Sequence, residues 1–160
     1  MKTPDTQIEY LDPDAPDVQA LIAASDAYYV DLYPAESNHL ECSADLKRPN
    51  VVFIGCRIGG KLVASGAAKI MHDDGAYAEI KRVFVLDGYR GGGLSRQVME
   101  FLEAELRDRG IGLFRLETGI RQPEALGLYR KLGYRERAPF GAYRPDPLSV
   151  FMEKRVDSNA

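Results

Sequence analysis

Cysteine, histidine and surplus positive charge are all scarce in this chain, and each scarcity narrows what it can do. Two cysteines (Cys42, Cys56) and two histidines (His39, His72) stand in 160 residues without metal-ligand spacing. That argues against a metal site and for two free thiols in a reducing compartment. Lysine plus arginine total 21 against 24 acids, a net charge of -3, so the basic surplus of a nucleic-acid binder is missing. No run approaches the roughly 20 apolar residues of a membrane span. The opening M-K-T-P-D-T-Q has no apolar core of the kind a secretion signal needs. These gaps predict a cytoplasmic protein without metal, nucleic-acid or membrane partners. There is no internal repeat either. A chain of this length with 45% hydrophobic residues suits one domain, 1–160, with a core that needs no staples.

Periodicity sets the elements. Ile8 to Leu11 reads as a first strand, and Asp14 as the cap of a helix with Val18, Leu21, Ile22, Ser25, Tyr29 and Leu32 in one stripe. Pro34 ends it, and a short helix is expected near Ser43 to Lys47. Strands at Val51–Arg57 and Leu62–Met71 flank the turn signal Gly59-Gly60, and a third, Tyr77–Leu86, follows Gly75. Leu94, Val98, Phe101, Leu102 and Leu106 stripe a helix that closes at Gly110. Leu113–Thr118 is a further strand. Pro123 opens a helix with Ala125, Leu128, Tyr129 and Leu132 on one face, and strands near Tyr134–Glu136 and Leu148–Arg155 finish the chain. The order predicts a single α/β domain with a mixed sheet. Alternation would place Glu79, Lys81, Val83 and Val85 on one strand face, unless a bulge intervenes.

The most informative stretch is V-F-V-L-D-G-Y-R-G-G-G-L-S, an apolar strand running through three glycines into a helix. Glycines leave backbone N–H groups uncovered, and the helix start adds free donors and a positive dipole end. With Arg90 alongside, this reads as a socket for phosphate or pyrophosphate, with a plain structural turn as the alternative. A P-loop would need Lys-Ser/Thr after the last glycine, where Leu94-Ser95 stands. A dinucleotide fingerprint would need glycine at Arg96.

Arg90, Gly91, Gly92, Gly93 and Leu94 resemble the cofactor motif of the GNAT superfamily of acetyl-CoA-dependent N-acetyltransferases, with Ser95 in place of its final small residue. Downstream, E-A-L-G-L-Y-R-K-L-G-Y resembles a second family element, with Gln122 where the family often has Asn. The resemblance spans most of Val51 to Lys154. It implies a GNAT-like, mostly antiparallel sheet flanked by helices, with an acceptor-side region over about 1–50, a cofactor core over about 51–133 and C-terminal strands over 134–155. It also implies that acetyl-CoA sets its pyrophosphate on the glycine turn, while Val83, Phe84 and Val85 run beside the pantetheine arm and supply a strand N–H to the thioester oxygen.

Acetyl transfer to an amine further needs a base for the amine proton and a donor for the departing thiolate. Glu79 precedes Arg90 by the spacing of the base in histone-type members, and Tyr129 matches the family tyrosine near the cofactor sulfur. Glu79 reads equally as a strand glutamate paired with Lys81, and Tyr129 as a core aromatic. For the acceptor, Glu36, Ser37, Asn38 and His39 could meet an ammonium, with Tyr28, Tyr29 and Tyr33 as an aromatic wall. Phe140, Tyr143 and Arg144 would close over it or contact a second subunit in a homodimer. The expected function is acetylation of a small primary amine. The alternatives are a protein amine as acceptor, a non-catalytic acyl-CoA-binding module, or another phosphorylated ligand.

Overall fold

The apolar stripes and turn signals become seven strands and four helices among the residues described by the computed structural model, 5–38 and 42–156. In chain order they are β1 (Thr6–Tyr10), α1 (Pro16–Leu32), a 3-10 turn (Ala35–Ser37), α2 (Ser43–Leu46), β2 (Val51–Ile58), β3 (Lys61–Met71) and β4 (Tyr77–Val85). Then follow α3 (Leu94–Asp108), β5 (Leu113–Gly119), α4 (Pro123–Lys131), β6 (Arg135–Arg137) and β7 (Ser149–Arg155). One sheet runs β1-β2-β3-β4-β5-β7-β6. Only β4 and β5 are parallel, because α3 must cross over between them, whereas hairpins join β2 to β3 and β3 to β4.

Each face of the sheet carries its own core. On one face α3 and α4 bury Val98, Met99, Leu102, Leu106 and Tyr129 against Ile54, Ile80 and Phe114. On the other, α1 and α2 bury Val18, Leu21, Ile22 and Leu46 against Phe53, Ala67 and Phe84. A third, aromatic cluster, Tyr77, Phe140 and Phe151 with Tyr143 against it, anchors the C-terminal loop. No helix among the described residues is long and apolar enough to cross a membrane.

Three expectations change in detail. Ala15, not Asp14, holds the N-cap position of α1, since Pro16 already begins the helix; Asp14 pairs with Lys47 instead (2.5 Å). In α4 the buried residues are Leu126 and Tyr129, while Leu128 faces a cleft. The alternation along β4 fails at a bulge, where Arg82 and Val83 together oppose Gly66 between the pairs Ala67–Lys81 and Ser65–Phe84. Arg82 has φ 60°, a conformation costing about 1 kcal/mol for a residue with a Cβ. Its guanidinium, held by Asp26 of α1 at 2.5 Å, fixes it there. The extra residue moves Val83 and Val85 to the α3 face with Ile80, leaving Glu79, Lys81 and Phe84 on the α1 side.

Candidate active site

The site begins where two strands part. β4 and β5 pair only over Ala78–Ile80 and Phe114–Leu116. Beyond that, β4 stays with β3 and Glu117–Gly119 stay with β7, so a wedge opens between Lys81–Val85 and Glu117–Gly119. After the bulge, Val83 and Val85 turn their backbone groups toward this wedge. The Tyr29 hydroxyl donates to Val83 O (3.1 Å) and Arg90 Nε to Val85 O (3.0 Å).

One half of the wedge is a cleft of about 610 Å³ at the start of α3. Gly91 and Gly93 have φ 84° and 81°, and Gly93 caps α3 without any side-chain bond. Gln97 N donates to Gly93 O (3.1 Å) as the first helical bond, so the N–H groups of Leu94, Ser95 and Arg96 lack helical partners. No acid stands in the first turn of α3, and Arg90 stacks on Tyr28 (4.7 Å) and Phe84 (5.6 Å). Val83, Phe84, Val85, Arg90, Gly91, Gly93, Leu94, Ser95, Gln122 and Tyr129 all line the cleft. Gly92 belongs to the turn but not to the lining. Positive backbone, glycines without Cβ atoms and an apolar flank suit a pyrophosphate followed by a thin arm.

The other half is a polar cavity of about 90 Å³. Tyr29, Val83, Gln122 and Tyr129 border both halves, so the two spaces meet at the Tyr129 ring. Tyr129 is buried, and burial raises its hydroxyl well above the usual phenol range. Burial likewise pushes Tyr29 up to about 12.

Of the residues expected to act here, Glu79 is buried and already engaged. It accepts from the Tyr143 hydroxyl and from Lys81 Nζ (3.3 Å), and Lys81 also donates to Tyr143 (3.1 Å). Tyr143 is held protonated by burial and by the Glu79 charge beside it. Tyr33 lines the cavity, with its hydroxyl donating to Gln122 Oε1 (3.2 Å) and accepting from Arg121 N (3.1 Å). Tyr28 lines the larger cleft. Ser37 and Asn38 face the cavity while Glu36 is exposed outside it, since successive residues of a 3-10 turn point about 120° apart. Phe140 packs inside its own chain against Tyr77 and Phe151, and Arg144 is exposed. His39 lies outside the described residues.

The residue that sequence reasoning missed is Glu117. Its carboxylate lines the cavity and accepts from Ser149 Oγ (2.8 Å). Burial is the main cause that raises it from 4.5 to about 7, aided by Glu79 and Asp146 and opposed by Ser149 and Lys81. A signal was present: Arg115 and Glu117 are two charged residues on one face of the otherwise apolar L-F-R-L-E-T-G. A carboxyl group poised near neutrality, sharing a cavity with a buried phenol at the inner end of a cleft lined by the glycine turn, is equipped for proton-coupled acyl transfer.

Comparison with known proteins identifies the family. The model of the acetyltransferase (GNAT) family matches residues 18–134. An IAA acetyltransferase of Azospirillum brasilense is 47% identical over 137 residues, 86% of this chain and 89% of that protein. The crystal structure of a protein assigned as an acyl-CoA N-acyltransferase, from Klebsiella pneumoniae, superposes with a TM-score of 0.78 at 35% identity, covering 94% of this chain and 97% of the other. The PaiA N-acetyltransferase of Thermoplasma acidophilum, solved with coenzyme A, shares the fold at a TM-score of 0.70 and 18% identity, over 94% and 99% of the two chains. This chain therefore belongs to the GNAT acetyltransferase family, enzymes that take their acyl group from acetyl-CoA.

Proposed function

We propose that this acetyltransferase acts on the primary amine of a small molecule, with Glu117 as base and Tyr129 as the donor that stabilises the leaving sulfur. The observation that carries the reading is the junction: a long cleft and a small polar cavity meet at Tyr29, Val83, Gln122 and Tyr129, with Glu117 on the cavity side. The glycine turn, Arg90 and the α3 N-terminus would hold the pyrophosphate, and the β4 edge the arm. Acetyl-CoA supplies a thioester carbon open to attack by nitrogen.

An amine attacks only when neutral, so its proton must leave. Glu117, ionising near 7, is half ionised near neutral pH and can take that proton. The Val85 N–H, turned toward the wedge, serves the thioester oxygen as charge grows on it. The Tyr129 hydroxyl makes no hydrogen bond among the described residues and is held protonated by burial. Its acidity is lower than that of an alkyl thiol of pKa about 8.5. It therefore donates a hydrogen bond to the thiolate rather than losing its proton. Glu79, committed to Lys81 and Tyr143, shapes and charges the cavity floor. The acceptor-side role of residues 1–50 belongs to the same reading, through Tyr29, Tyr33, Ser37 and Asn38.

A small acceptor is favoured by the size of the cavity and by the name of the Azospirillum relative, an IAA acetyltransferase. The test is thiol release from acetyl-CoA across a panel of small primary amines and peptides with free N-termini. Turnover confined to small amines is expected. Turnover confined to peptides would replace the acceptor, and donor binding without any turnover would replace the enzyme with a binding module.

A further inference from the structure

Two segments from opposite ends of the chain meet over the acceptor cavity. The Ala35–Ser37 turn comes from the end of α1, and residues 138–148 precede β7. Ser37, itself buried, donates from Oγ to Asp146 Oδ2 at 2.6 Å, joining residues 109 apart. The other oxygen, Asp146 Oδ1, accepts from Leu148 N (2.8 Å), and Asp146 O accepts from Ser149 N (3.0 Å). These bonds place Ser149, whose Oγ donates to Glu117. Asp146 stands between Pro145 and Pro147, whose rings limit the backbone on either side.

We propose that Asp146 is a positioning residue that latches the acceptor cavity and seats the base, tying the Ala35–Ser37 turn down with one carboxylate oxygen and holding Leu148 N with the other, while its backbone carbonyl holds Ser149 N, so that Ser149 is set against Glu117. The inference rests on Glu117 being the base. It adds a reason for an acid at this place. Glu117 is faced by Lys81 and Glu79 from β4, by Tyr33 from the end of α1 and by Asp146 from the loop. Lys81 favours its ionised form, whereas Glu79 and Asp146 oppose it. Asp146 thus joins closure of the cavity to the pH at which the base is ready, through bonds on one side and charge on the other.

The test compares Asp146→Asn, Ser37→Ala and Glu117→Gln in the full chain, with acetyl-CoA and the best small amine from the panel. Asp146→Asn keeps the shape but removes the charge. It should raise the acceptor KM roughly fivefold through weakened bonds and leave the donor KM unchanged. It should also move the acidic limb of kcat/KM down by about half a pH unit, because a negative neighbour has gone. Ser37→Ala should raise the acceptor KM by about the same factor without moving the limb. If Glu117→Gln keeps wild-type turnover and limb, the base assignment falls and this inference falls with it. If Glu117→Gln is inactive but Asp146→Asn keeps the wild-type acceptor KM and limb, the inference alone is overturned. An unchanged acceptor KM in Ser37→Ala overturns the latch even where Asp146→Asn does not fold.

Discussion

The cleft proposed for the donor and the cavity proposed for the acceptor differ in what they are made of. The cleft takes its anion-facing part from backbone, the glycine turn, a helix N-terminus and one strand edge, all within Val83–Arg96, and its flank from side chains of α1 and α4. The cavity is built by side chains from α1, the 3-10 turn, β4, β5, α4 and the C-terminal loop. A backbone site is written in one contiguous stretch and tolerates side-chain change at its rim. A side-chain site is written across the whole chain, and its chemistry depends on neighbours that only folding supplies. On the proposed function, the same division separates the part of the reaction common to a family from the part that selects one acceptor.

The largest break falls on the acceptor side. Glu117→Gln should lower turnover roughly 10²- to 10³-fold, the scale of a lost general base, while calorimetry finds donor affinity unchanged. In the wild type, kcat/KM should climb with pH through about 7 and the variant should lose that limb. The same change should stabilise the fold at alkaline pH. Glu117 ionises near 4.5 in the unfolded chain and near 7 in the fold, so its contribution is full below 4.5 and is lost as pH rises through 7. At pH 8 the fold holds a buried charge that glutamine lacks, and the variant should gain on the order of 3 kcal/mol. A variant that is inactive yet melts no higher than wild type at pH 8 would remove the burial argument for Glu117.

Tyr129→Phe sharpens the comparison at the border, since its ring faces both halves. Losing one hydrogen bond to the leaving sulfur should cost turnover about tenfold, with donor and acceptor KM near their wild-type values. Equal losses in KM instead would make Tyr129 a wall rather than a donor.

These two residues also show how far the sequence could be read. Tyr129 was legible because it sits at a fixed helical offset from Leu132-Gly133, so local pattern located it. The glycine turn was legible for the same reason. Glu117 was not, because its surroundings come from Ser149 of β7, Glu79 of β4 and Asp146 of the C-terminal loop. Glu79 drew attention by spacing alone, and its occupation by Tyr143 depends on where the loop anchored by Phe140 lands. The mixed sheet, with antiparallel hairpins first, followed from turns and crossovers. The bulge at Arg82 did not, since it depends on the distant Asp26.

Gly119→Ala tests the acceptor wall with a single carbon. A Cβ there would lie 1.8 Å from the Tyr33 hydroxyl, which binds Gln122 Oε1 and Arg121 N. The ring must move and both bonds must weaken. The acceptor KM should rise roughly tenfold, as for the loss of one to two hydrogen bonds, with the donor KM held.

Gly93→Ala is the donor-side counterpart and should have the smallest effect. No atom lies within 4 Å of an added Cβ at this position, so there is no clash to relieve. The cost is backbone alone: φ 81° at the cap of α3 disfavours a residue with a Cβ by about 1 kcal/mol. Part of that cost stays in the free protein as lower stability. The rest appears when the turn relaxes and swings the N–H groups of Leu94, Ser95 and Arg96 away from a bound pyrophosphate. Donor KM should therefore rise about fivefold, while the acceptor KM and the pH limb stay in place, because Glu117 shares no bond with the turn. Initial rates with each substrate varied in turn decide it. A matching rise in the acceptor KM would mean that the turn and the cavity move as one body, and that the backbone half and the side-chain half are a single device.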